Sequence, residues 1–260
     1  MSRFVDKLNQ ISQAAPQPMG FRLAQSVPSK PKVLLIASLP QANVDSLADY
    51  VAGADAGLLP ISNLSSGAKT IQKICRAASD IPWGGWLRDV GQGEISQIVK
   101  AGCDFMVFPA AKTSLAVLQN SKVGKILEVE ASLSGDLLRA VDELPVDAVL
   151  IAGEQKGGYF LTWHHLILFQ RFANLLTKPL LVSVPSTVTA NELQALWGAG
   201  VDGVVVEVGA GQPTERLNEL RQAIDKLTFP PQRKRGKAEA LLPYIGGETG
   251  IEAEVETEEE

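Results

Sequence analysis

The sequence predicts a single (βα)8 TIM barrel of the α/β class, with an N-terminal helix and a charged C-terminal tail. Three observations predict it. Strand and helix signals alternate eight times from Lys32 onward, as a parallel sheet with helical crossovers requires. The stretch from Pro179 to Gly211 reads plainly as strand, helix, strand: a β-branched run LLVSV, a capping box of Thr189 with Glu192, a helical face of Leu193, Leu196 and Trp197, a stop at Ala199-Gly200, and a second apolar run after Asp202. Finally, Asp55, Asp104, Asp147 and Asp202 each open an even-numbered strand and recur about every fifty residues, the length of one βαβα unit. The chain therefore reads as four quarter-barrels, with an open doubly wound sheet as the alternative.

Each element follows from its local pattern. Phe4, Leu8 and Ile11 share one face of a short opening helix expected to pack over the barrel floor, and a Pro- and Gln-rich lead-in runs to residue 31. KVLLIAS then precedes a helix over Val44–Val51, AGLLPIS a helix over Ala68–Ala78, PWGGWLRD one over Glu94–Lys100, and DFMVFPA one over Ser114–Asn120. In the second half KILEVEA leads to Gly135–Leu144, DAVLIAG to Phe160–Leu176, LLVSVPS to Ala190–Trp197, and DGVVVEVG to Glu215–Leu227. These eight pairs place the barrel over residues 32–227 and a tail over 228–260. The tail has two prolines, a basic run, the apolar patch Leu241, Leu242, Tyr244 and Ile245, and a glutamate-rich end expected to be disordered over its last ten residues.

Composition limits the function. A chain of 260 residues with 45% apolar content can bury a large core, and its net charge of −5 argues against a nucleic-acid surface. No segment reaches the roughly 18 uninterrupted apolar residues of a membrane span, and no signal peptide is evident, so a cytoplasmic protein is expected. Cys75 and Cys103 read as buried thiols rather than a disulfide or metal pair. The helix over Phe160–Leu176 is apolar nearly all round, which calls for burial on two sides, either in a homo-oligomer interface or under the chain's own termini. His164 and His165 within it are adjacent, point about 100° apart and cannot share a metal as an i, i+4 pair would.

Barrels of this kind carry their chemistry at the C-terminal ends of the strands. That rule selects Ser38, Ser62, Asn63, Arg88, Asp89, Lys112, Glu128, Glu130, Glu154, Lys156, Ser186, Thr187, Glu207, Gly209 and Gly211, and leaves the four repeated aspartates on the opposite, stabilising face. Arg88, Lys112, Glu130 and Lys156 are the candidate catalytic residues. Glu130 and Glu154 are candidate ligands for Mg²⁺ or Mn²⁺, and Glu128, the deeper of the strand-five pair, is the more structural carboxylate. The last two loops, with Ser186, Thr187, Gly209 and Gly211, suit an anion such as a phosphate, and the same loops leave FMN open.

The segments WLRDVGQGEISQIVKAGCDFMVFPAAKT, EVEAS and VDAVLIAGEQ resemble metal-dependent pyruvate aldolases of the 4-hydroxy-2-oxoheptanedioate aldolase type, within the phosphoenolpyruvate-binding barrel superfamily. The resemblance implies that Arg88 holds a pyruvate carboxylate or enolate oxygen, that Glu130 is the first metal ligand, and that Glu154 stands where that family has an aspartate. The early acidic and histidine residues of the family are replaced here by LLPISNLSS. Two functions remain: a barrel binding a small phosphorylated or carboxylated metabolite, with a lyase or isomerase as the enzyme class, and a non-catalytic barrel acting as an assembly component through helix six and the tail.

Overall fold

A computed structural model of the protein describes residues 2–12, 33–40, 47–62, 64–88, 95–153, 160–209 and 215–226. Eight parallel strands close into one barrel in sequence order: β1 Leu34–Ser38, β2 Ala56–Ile61, β3 Trp83–Leu87, β4 Phe105–Pro109, β5 Gly124–Val129, β6 Ala148–Ile151, β7 Leu180–Val184 and β8 Gly203–Glu207. Closure is made by β1 against β8, where Ile36 lies opposite Val205 and Ser38 opposite Glu207. The helices are α1 Arg3–Ser12, α2 Leu47–Val51, α3 Leu64–Ala77, α4 Ile95–Lys100, α5 Gly135–Glu143, α6 Trp163–Leu175, α7 Ala190–Gly198 and α8 Arg216–Lys226.

One expected helix is absent. The chain between β4 and β5 forms two short 3₁₀ turns, Ala110–Lys112 and Leu115–Gln119, instead of an α-helix over Ser114–Asn120. Only Val117 of the second turn is buried, while Leu115 and Leu118 stand in solvent. A segment this short, anchored at one residue, gains too little burial to offset the cost of nucleating an α-helix.

Strand parity sorts the core into two layers. Leu35, Ala37, Leu59, Met106, Leu127, Val149, Val182 and Val204 face outward onto the helices. Leu34, Ile36, Ala56, Leu58, Phe105, Val107, Ile126, Ala148, Leu150, Leu181 and Val205 face inward and fill the barrel. This is the two-residue alternation of a sheet buried on both faces. The interior cluster also contains Phe4 and Leu8, because α1 closes the floor, and the Phe4 ring stacks on Phe105 with centroids 4.2 Å apart. Room for that plug comes from glycine at the strand starts: a Cβ on Gly84 would lie 2.3 Å from the Phe105 ring, and one on Gly124 would lie 2.6 Å from Val5.

The fourfold repeat has a physical cause. Gly53, Gly102 and Gly200 take φ of 86°, 98° and 92° and end their helices in the left-handed conformation glycine favours. Two residues after each of these glycines an aspartate donates its N–H to the preceding odd strand, Asp55 to Leu35 at 2.8 Å, Asp104 to Trp83 at 2.8 Å and Asp202 to Leu180 at 2.9 Å, and Asp147, which follows Pro145 rather than a glycine, makes the same bond to Lys125 at 2.8 Å. Three carboxylates close the ring by accepting the N–H of that same residue, at 2.9 Å from Leu35, 2.7 Å from Lys125 and 2.7 Å from Leu180. Asp55 also pairs with Arg221. Asp104 departs from the pattern and turns to α1 instead, accepting from Ser2 Oγ at 2.8 Å and from the N–H groups of Arg3 and Phe4, each at 2.9 Å. The quarter-barrel motif is thus reused to fasten the N-terminal helix by its positive end.

The capping box of α7 is present as the spacing predicts, with the Thr189 N–H donating to Glu192 at 2.7 Å and the Glu192 N–H to Thr189 Oγ1 at 3.3 Å. α6 uses the same device with an unexpected residue: the Thr162 N–H donates to His165 Nδ1 at 3.0 Å, so His165 serves as a helix cap. Both cysteines are free thiols. Cys103 Sγ donates to the Phe105 carbonyl, and burial pushes that thiol up to about 12, which keeps it protonated at neutral pH. Burial also raises Cys75. Among the described residues no helix is long and apolar enough to cross a membrane.

Candidate functional site

Following the inward parity up each strand leads out of the packed core into an open cavity of about 470 Å³ at the C-terminal end of the barrel. Above Ile36 comes Ser38, above Leu58 comes Pro60, above Trp86 comes Arg88, above Val107 comes Pro109, above Ile126 comes Glu128, above Leu150 comes Ala152, and above Val205 comes Glu207. Lys112 enters from the 3₁₀ turn after β4, and Trp86, Pro40 and Gly153 complete the wall. The cavity is therefore the next inward layer of the barrel, left unfilled where the strands stop.

Its polar groups are arranged unevenly. Arg88 and Lys112 bring two cations to the β3 and β4 side, and among the described residues neither makes an ion pair. Glu128 is held from beside it by the Trp86 indole, whose Nε1 donates to Glu128 Oε2 at 2.7 Å. That bond orients the carboxylate and satisfies the indole N–H, which lies on a residue only 8% exposed. Glu207 stands at the end of β8 beside Ser38. A ring of prolines, Pro40, Pro60 and Pro109, together with the Trp86 face, supplies apolar surface between the charges.

Five of the residues selected from the sequence thus meet in one place: Ser38, Arg88, Lys112, Glu128 and Glu207. Glu130 does not join them. β5 ends at Val129, so the alternation that points Ile126 and Glu128 inward stops one residue short, and the exposed Glu130 carboxylate accepts from Ser132 Oγ at 3.2 Å. The deeper glutamate is the one on the cavity. Asn63, Asp89, Glu154, Lys156 and Gly211 lie outside the described residues.

Ser186, Thr187 and Gly209 do not line the cavity. The turn after β7 is tied down by Arg216 at the start of α8, whose Nε donates to the Ser186 carbonyl at 2.8 Å and whose terminal nitrogen donates to the Val188 carbonyl at 2.7 Å. The third guanidinium nitrogen pairs with Glu219 at 3.2 Å. Arg216 thus holds this turn through its carbonyls. A Cβ on Gly209 would meet nothing within 4 Å, so close packing does not require glycine there.

Sequence reasoning missed Trp86, the prolines and Ala152. Their signal was available: Trp86 has the same parity as Arg88, and Pro60, Pro109 and Ala152 sit two residues beyond an apolar inward position.

No family model matches the chain, and no curated protein matches it. Solved structures do resemble it, (βα)8 barrels among them. Thiamine phosphate pyrophosphorylase from Pyrococcus furiosus is 14% identical, with a TM-score of 0.57 over 75% of this chain and 96% of that one. The tryptophan synthase α-subunit from the same organism is 11% identical, with a TM-score of 0.59 over 74% and 96%. Orotidine 5'-phosphate decarboxylase from Pyrococcus horikoshii OT3 is 14% identical, with a TM-score of 0.56 over 74% and 100%. At these identities the likeness establishes the barrel fold. The narrower resemblance to pyruvate aldolases finds no counterpart among these similarities.

Proposed function

We propose that the barrel binds a small anionic metabolite, phosphorylated or carboxylated, in the cavity at its strand C-termini. The observation that carries this reading is the pair Arg88 and Lys112 on the cavity wall with no carboxylate paired to either among the described residues. Two cations beside an apolar wall form a receptor for an anion attached to a carbon skeleton. The solved structures named above lend support, since two of them bear the names of enzymes acting on phosphorylated compounds. For a lyase or isomerase step, Glu128, oriented by Trp86, is the group to move a proton while Arg88 and Lys112 stabilise developing negative charge.

Among the described residues no three histidine, cysteine or carboxylate side chains are gathered as a metal site. Mg²⁺ or Mn²⁺ bound beside Glu128 or Glu207 would draw its remaining ligands from the metabolite. The test is a thermal-shift screen of sugar phosphates, 2-oxo acids and FMN, each with and without Mg²⁺ or Mn²⁺. A ligand at a hundred times its Kd stabilises by about 2.7 kcal/mol, a shift of several degrees. The expected result is such a shift for at least one anion, lost in Arg88→Ala and reduced in Lys112→Ala. No shift across the panel, or a shift indifferent to both substitutions, overturns the reading.

A second reading, an assembly component, is favoured by α6. Trp163 and Ile167 on α6, with Phe160 just before its N-cap, are 82%, 64% and 69% exposed, an apolar surface that no described part of the chain covers. Self-association through this face predicts a concentration-dependent mass by light scattering that falls to the monomer in Trp163→Asp. A monomer in both proteins rejects it.

A further inference from the structure

We infer that the ligand of this cavity is bipolar: an anionic group at one end and a protonated amine at the other, spanning the mouth of the barrel. The inference rests on the anion reading above and extends it to the far wall. In a closed ring of eight strands, β4 stands directly across from β8. Arg88 follows β3 and Lys112 follows β4, while Glu207 ends β8 with Ser38 next to it on β1. Among the described residues the charged groups on the wall are Arg88, Lys112, Glu128 and Glu207, two of each sign and unevenly placed. The β3 to β5 side carries two cations against Glu128, one oxygen of which is occupied by the Trp86 indole. Among the described residues the β8 side carries Glu207 as its one charged group, and no described cation pairs with it.

A simple anion would leave Glu207 facing into the cavity with no positive group, and its field would oppose the anion across a site that excludes part of the water. A ligand with an ammonium group at the right distance satisfies both walls at once. The side walls fit the same picture, since the prolines and Trp86 contact an uncharged linker between two charged ends.

The experiment compares two series on the intact protein by calorimetry: straight-chain alkyl phosphates and ω-aminoalkyl phosphates of matched, graded length. The expected result is tighter binding of the amino series, with one optimal length. Glu207→Gln should weaken the optimal amino ligand about tenfold, the worth of a charge-assisted hydrogen bond, and leave the alkyl phosphates unchanged or tighter. Glu207→Asp should move the optimum to a longer chain, a change that damage to the fold would not produce. Binding of both series with equal affinity, or indifference of the amino series to both Glu207 variants, overturns the bipolar ligand while leaving the anion site standing. If neither series binds, the bipolar ligand is overturned, and a thermal-shift panel of anions that is equally silent brings down the anion reading itself.

Discussion

Phe4→Ala should lower the unfolding free energy by about 3–5 kcal/mol, the cost of truncating a fully buried aromatic side chain. Phe4 is 0% exposed, stacks on Phe105 and, with Leu8, closes the floor of the barrel. Its loss opens a cavity bounded by strand ends, which the rigid sheet cannot collapse to fill. Chemical denaturation followed by circular dichroism measures the change, with Leu115→Ala, 81% exposed, as the surface control. A loss below about 1 kcal/mol would mean that the N-terminal helix rests on the barrel without stabilising it.

Asp104→Ala is expected to be the most damaging change among the four repeated aspartates, at about 2–4 kcal/mol. Its carboxylate holds Ser2 Oγ and two N–H groups of the first turn of α1, whereas Asp147 accepts the single N–H of Lys125. Asp147→Ala should cost about half as much. Because Asp104 and Phe4 both act by docking α1, the double variant should lose less than the two single losses together. Trypsin should also cut at Arg3 or Lys7 faster in Asp104→Ala than in Asp147→Ala. Equal costs for the two aspartates would show that α1 does not depend on the cap.

How far the site could be read from sequence depends on where each side chain's direction is set. Ser38, Arg88, Glu128 and Glu207 sit on strands or one residue beyond, where the two-residue period continues from a buried apolar neighbour. Glu130 shares that parity on paper, yet the strand ends at Val129 and the next residue is free to turn. Strand length is decided by pairing, since β5 pairs with β6 through Val129 opposite Ile151 and no further. The turn after β7 shows the same limit: its small polar residues match an anion loop, but the partner that claims its carbonyls, Arg216, is thirty residues away in sequence.

By itself, the sequence determined the barrel, the order of its strands and the place of the four aspartates at the strand starts, away from the end where the cavity opens. Each of these follows from local rules repeated along the chain: alternation in the strands, and an aspartate opening every even strand, in three of the four copies two residues after a helix-ending glycine. Only the tertiary structure decided that α1 is held by Asp104, that Trp86 orients Glu128, and that Arg88, Lys112 and Glu207 line one cavity. Those contacts join residues far apart in the chain, and a local pattern holds no record of which distant partner closure of the barrel will bring opposite.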